Sequence, residues 1–205
     1  MPSAIHAVPT AASDSLSNQL LDLVHQYRAS ANVTQLHLRL AAWGQGATPE
    51  ALMAAVEPFR EVPEVAGPVY ERVVADQPTN ARALVILANA YWLAGRGPAV
   101  VGELAERART ADPLNRGAWH LWALSESSPR HRMDRWRHVS LQFPDDDLAR
   151  ANLADNATSV AGAEHDPAAL QLALETYADL RARATDAEQQ AALDRALSTL
   201  REWRI

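Results

Sequence analysis

Apolar residues return at every third or fourth position from Leu16 to Leu200, and no sustained alternating run of β-branched or aromatic residues interrupts them. That period turns one stripe of an α-helix toward a core and leaves no segment suited to a half-buried strand. The chain is therefore predicted to be all-α. Proline and glycine fall mostly between the periodic runs and set their limits.

The first run spans Asp14 to about Ser30, with Leu16, Leu20, Leu23, Val24 and Tyr27 on one face, and a second spans about Asn32 to Trp43. Gly44-Gln-Gly46 stops the second, and Thr48-Pro49-Glu50 opens a third with a capping hydroxyl, a proline at the first helical position and an acid in the first turn. Pro58 must end that helix, because proline lacks the backbone donor and clashes with the preceding turn. Further helices are predicted at 63–75, 80–94, 98–111, 115–124, 129–142, 147–161 and 167–184, then from about 187 to the C-terminus. Eleven short helices joined by turns of two to five residues imply antiparallel neighbours.

Several of these hairpins share a spelling. One closes as Ala66-x3-Tyr70-x2-Val73-x4-Pro78, and another opens as Leu84-x2-Leu87-Ala88-Asn89-Ala90-Tyr91 and closes at Asp112-Pro113. A third opens at Trp119-x2-Trp122-Ala123 and closes as Trp136-x2-Val139-x4-Pro144. Pro78, Pro113 and Pro144 fall 35 and 31 residues apart. This pattern resembles the tetratricopeptide repeat, a helix–turn–helix unit of about 34 residues with a small residue, an aromatic and a closing proline at set offsets. The resemblance covers roughly 48–184 and is strongest between 63 and 145. It implies a right-handed α–α superhelix of stacked hairpins with capping helices, because a single unit cannot bury its own apolar stripe. The expected organisation is a disordered tail over 1–12, a helical pair over 13–46 as cap or degenerate repeat, repeats over 47–184 and a C-terminal capping helix over 185–205.

The resemblance also implies which side chains face a binding groove. They are Arg82, Val85, Asn89, Trp92 and Leu93 in one unit, Gly117, His120 and Leu124 in the next, and Ala151, Asp155 and Thr158 in the third. Asn89 stands where many members of that family hold an asparagine that grips the backbone of a bound peptide. Val85 stands where the carboxylate-clamping members carry a base, so capture of a C-terminal carboxylate is not expected. Trp92 lies about 100° around the helix from Tyr91, so the two cannot point the same way. With Tyr91 inward Trp92 becomes a groove anchor, and otherwise it is one more core aromatic.

A basic run holds Arg130, Arg132, Arg135 and Arg137, suited to phosphate or an acidic partner, or else a solvated face paired by Asp134 and Asp145–Asp147. All 19 basic residues are arginine, which with the alanine abundance reads as a base-composition bias and excludes lysine chemistry. No cysteine is present, so disulfides, thiolate metal sites and cysteine nucleophiles are excluded. The net charge of −6 argues against a nucleic-acid footprint. The seven histidines do not cluster, no H-E-x-x-H, G-x-S-x-G or G-x-G-x-x-G occurs, and Asp166 in Glu164-His165-Asp166 reads as a helix cap. No catalytic residue, metal or cofactor is expected.

The predicted role is a scaffold or adaptor holding a peptide or helix of another protein. The alternatives are an all-helical enzyme using His120, Glu126 or Asp155 around a small-molecule pocket, and a self-assembling structural protein that makes a homo-oligomer. With no leader-like start and no membrane-length apolar run, the expected location is the cytoplasm.

Overall fold

A computed structural model describes residues 11–205 and, among them, helices but no strand. The order is α1 (Ala11–Ser30), α2 (Val33–Ala42), α3 (Pro49–Val56), a 3₁₀ turn (Glu57–Phe59), α4 (Pro63–Asp76), α5 (Ala81–Leu93), α6 (Pro98–Ala111), α7 (Arg116–Leu124), α8 (Pro129–Gln142), α9 (Asp147–Glu164), α10 (Pro167–Arg183) and α11 (Ala187–Arg201). The expected tail over 1–12 lies outside the described residues except for Ala11 and Ala12, which belong to α1.

The helix starts follow from local chemistry. Asn32, Thr48, Asn80, Ser128, Asp146, Asp166 and Asp186 each accept a main-chain N–H of the first turn. Proline opens α3, α4, α6, α8 and α10, where its missing N–H has no intrahelical partner to lose. Pro58 ends α3 as its ring chemistry requires, and the chain passes through a 3₁₀ turn before α4.

Residues 11–115 and 116–205 form two compact units. In the first, α1 packs on α2 and α3, α2 on α4, and α3, α4, α5 and α6 pack in succession. Val65, Ala66, Val69, Tyr70 and Val73 of α4 meet Leu84, Leu87 and Ala88 of α5 in an interior closed to solvent. Arg72 ties α2 to α4: its guanidinium donates to the carbonyls of Trp43 at 2.8 Å and Gly44 at 2.9 Å. Those carbonyls lie at the end of α2, where the helix dipole is negative and main-chain acceptors lack intrahelical donors. Gly44 adopts φ +65°, and a Cβ there would stand 2.6 Å from Leu52 Cδ2, so the turn between α2 and α3 favours glycine.

In the second unit α7, α8, α9, α10 and α11 pack in succession. Its core joins Met133, Trp136 and Val139 of α8 to Ala149, Leu153, Ala157, Val160 and Ala161 of α9 and Ala169 and Ala173 of α10. The alanines lie on the helix seams, where a small side chain lets two backbones come close enough to exclude water. Leu197 and Leu200 bury one face of α11, and Trp203 closes the C-terminal end with its ring 3.3 Å from the space a side chain at Gly162 would take.

Candidate functional site

The groove residues expected on α5 fall on one face. Val85 and Asn89 line a hollow of about 340 Å³ with Ile86 and with Arg60 and Glu61, which follow the 3₁₀ turn. Asn89 forms no side-chain hydrogen bond with a described residue, so its amide offers two donors and one acceptor to the hollow. Arg82 is held beside this hollow by Glu57, at 2.7 Å, and Glu57 also receives Arg60 at 3.0 Å. Arg60 reaches Glu61 at 3.3 Å as well. Beneath them the Tyr70 hydroxyl is fully buried and has no partner; burial, then the charge of Glu57, raises its pKa above the ordinary tyrosine value.

Glu57, Arg60, Glu61 and Ile86 were not among the expected groove residues. The segment from Glu57 to Val62 registers in the sequence only as a proline break, and the fold of that break decides where its charges go.

Tyr91 and Trp92 part as their 100° offset demands. Tyr91 is half-buried on the α4 and α6 side, donates its hydroxyl to Glu71 Oε1 at 2.6 Å and carries the Arg96 guanidinium 4.6 Å over its ring. Burial, followed by the bond to Glu71, pushes the Tyr91 pKa up to about 12. Trp92 is 38% exposed and lies on the Val85 side of the helix, outside the lining of the hollow.

The residues expected on the second unit are engaged within it. His120 Nε2 lies 2.6 Å from Asp146 Oδ2, and Arg116 Nε lies 3.5 Å from the same oxygen. Asp146 is 4% exposed and caps α9 through the Ala149 N–H at 3.0 Å. Burial raises its pKa, but the Ala149 N–H, His120 and Arg116 together outweigh that and hold the carboxyl below its ordinary range. Leu124 packs against the core of its unit. Asp155 is exposed on α9 and accepts the hydroxyl of Tyr177 from α10; burial and that bond push the Tyr177 pKa up to about 12.

The basic run is largely paired, but not by Asp134 and Asp145–Asp147 as the sequence reading supposed. Arg130 meets Glu164 and Asp166, and Arg132 donates to Asn156 Oδ1 at 2.8 Å. Arg135 meets Glu126 at 2.8 Å and stands 4.6 Å over the Trp122 ring. Arg137 is exposed on α8, and its guanidinium bonds no described residue. The acidic run is used elsewhere: Asp146 caps α9, while Asp147 receives Arg183 at 2.7 Å and Arg150 at 3.4 Å. No three histidine or carboxylate side chains gather to hold a metal ion among the described residues, and no described helix is long and apolar enough to cross a membrane.

No protein-family model matches the chain, and no curated protein matches it. A solved structure does: that of the functional characterization of Pseudomonas aeruginosa pilF, with a TM-score of 0.52 and 15% identity, covering 92% of this chain and 93% of that one. PilF contains tetratricopeptide repeats. At that identity the likeness concerns the fold, and this chain has an all-α, tetratricopeptide-like fold of consecutively packed helices.

Proposed function

We propose that the chain is a binding protein that holds an extended peptide or a helix of another protein against the Val85–Asn89 face of α5. One observation carries this reading: the hollow bounded by Val85, Ile86, Arg60 and Glu61 has the unengaged amide of Asn89 at its rim. An asparagine amide can donate to a peptide carbonyl and accept a peptide N–H together, while Val85 and Ile86 offer apolar contact. Trp92, exposed on the same side, is the candidate anchor. With valine at position 85, recognition rests on backbone and apolar groups and not on a terminal carboxylate.

The role is scaffolding or adaptation without catalysis, the partner is a protein or peptide and not a nucleic acid, and the setting is the cytoplasm. The net charge of −6 supports the choice of partner class. The test is capture from the source cell on immobilised wild-type chain, Asn89→Ala and Trp92→Ala, with folding checked by circular dichroism. Both variants should retain the specific partner about tenfold less, a loss typical of an anchor residue. Equal retention on folded variants would remove α5 as the binding face.

A further inference from the structure

The opposite side of α5 carries a second surface. Leu87 and Tyr91 lie on the far side of α5 from Val85 and Asn89, about 120–160° around the helix. They form the floor of a furrow of about 460 Å³ between α4 and α6. One wall is Glu71, Val74, Ala75 and Pro78, the other Val100, Glu103, Leu104 and Arg107. The lining is a ridge of α4 that ends in the turn at Pro78, beside a ridge of α6.

The two walls run in the same direction. Arg107 donates to the Pro78 carbonyl at 3.1 Å at one end, and Arg96, just before α6, comes within 3.8 Å of Glu71 at the other. The furrow therefore has an electrical sense. Glu71 stands at its start and Glu103 midway, and Glu103 is exposed and bonds no described residue. Arg107 stands at its end, bonded to a main-chain carbonyl and to no carboxylate of the described residues. Val74, Leu87, Val100 and Leu104 give this stretch its apolar part, and Val100 is 41% exposed.

We infer that the furrow between α4 and α6 docks an amphipathic helix of another protein, one with a basic first turn and an acidic last turn. The walls are about two turns long, so a helix of matching pitch can set an i, i+3, i+4, i+7 apolar stripe onto Val74, Leu87, Val100 and Leu104. Its basic turn meets Glu71 and Glu103, and its acidic turn meets Arg107. The dipole of the docked helix acts in the same sense, with the positive N-terminus near the acids and the negative C-terminus near the arginine. The charges thus fix direction and the apolar stripe supplies affinity. This surface is independent of the Val85–Asn89 face and does not require it.

The test uses the full chain and a fluorescein-labelled stapled helix of about fifteen residues, long enough to hold its shape once constrained. It carries leucines at i, i+3, i+4 and i+7, arginines in its first turn and glutamates in its last; a twin has the arginines and glutamates exchanged. Anisotropy should report binding of the first peptide and about tenfold weaker binding of the twin, the usual scale for misplaced charge at a buried rim. Val100→Glu, at an exposed first-turn position that tolerates an acid, should weaken the first peptide by about tenfold or more. Arg107→Glu should weaken it too and should restore binding of the twin. Asn89→Ala should change nothing. The inference is overturned if both peptides bind alike, if Val100→Glu leaves binding unchanged, or if Asn89→Ala weakens it. It is equally overturned if light scattering shows a wild-type dimer that Val100→Glu dissociates, since the occupant would then be a second copy.

Discussion

Two furrows lie between the second helices of consecutive hairpins, one between α4 and α6 and the other between α8 and α10. The first encloses about 460 Å³ and the second about 430 Å³, and both are lined in steps of three and four. They differ in what bridges them. Between α8 and α10 the walls include Arg130, Asp134, Arg137, Asp166, Gln171 and Glu175, and Arg130 reaches Asp166 at 2.7 Å, tying α8 to the start of α10. Between α4 and α6 no ion pair joins the described lining residues; Arg96 meets Glu71 at 3.8 Å at one end only, and Val74, Leu87, Val100 and Leu104 line the stretch beyond it together with Glu103. Helical period alone makes a furrow; side-chain pairing decides whether it is tied shut or left open. The same contrast runs through the interiors. The second unit buries a carboxylate between His120 and Arg116, while the first buries hydrocarbon and directs Arg72 at main-chain carbonyls.

The largest effect is expected at the buried carboxylate. Asp146→Ala removes the cap of α9 and the partner of both His120 and Arg116, and should cost about 2–4 kcal/mol in urea unfolding. Asp146→Asn keeps the cap and should lose about half as much. If the two variants unfold together, the charge contributes nothing and the contrast between the interiors fails. In the first unit, Arg72→Met takes the donor from the Trp43 carbonyl, while Gly44 keeps the Ala47 N–H, and should cost about 1–3 kcal/mol. A loss below about 0.5 kcal/mol, the range of ordinary surface changes, would show that water replaces the guanidinium without penalty.

Each unit also holds a tyrosine bonded to a carboxylate, Tyr91 to Glu71 and Tyr177 to Asp155. Tyr91→Phe and Tyr177→Phe should each cost about 1 kcal/mol near neutral pH. Both tyrosine pKa values rise from 10.0 to about 12, so the folded state favours the protonated hydroxyl. That contribution is fully present below pH 10 and is lost as pH rises through about 12. The stability gap between wild type and the double variant should therefore narrow over that window. A gap that stays constant or widens would mean that the hydroxyls do not carry it.

The elements were legible because their punctuation is chemical. Pro63, Pro98, Pro129 and Pro167 fix first turns, and Asn80 and Asp166 fix caps, by local bonds that need no knowledge of the rest of the chain. The tetratricopeptide spelling likewise placed Tyr70 and Trp136 in the interior, where both are found. The hollow beside Asn89 was only half legible. Val85 and Asn89 follow from helical spacing, whereas Arg60 and Glu61 reach it through a non-helical turn whose path depends on packing. His120 shows the other limit. Its position on α7 points the same way as a groove residue, but its partner Asp146 lies 26 positions on, and an acid that caps a helix gives no sign in sequence of also receiving a histidine. Pairings of this kind are set by tertiary distance, which periodicity does not encode.

The smallest effects sharpen the contrast between the furrows most. Glu103 in the open furrow and Asp134 in the bridged one are exposed carboxylates that bond no described residue. Neither takes part in holding its helices together, so Glu103→Gln and Asp134→Asn should each shift stability by no more than about 0.5 kcal/mol. Arg130→Gln should lower it measurably, because it releases Glu164 at the end of α9 and Asp166 at the start of α10. Differential unfolding of the three variants in one buffer gives the order directly. If Glu103→Gln destabilises as much as Arg130→Gln, then the open furrow is also tied by charge, and an acid at its middle belongs to the fold. If the expected order holds, the Glu103 charge serves something other than folding, at a position where a bound helix would meet it.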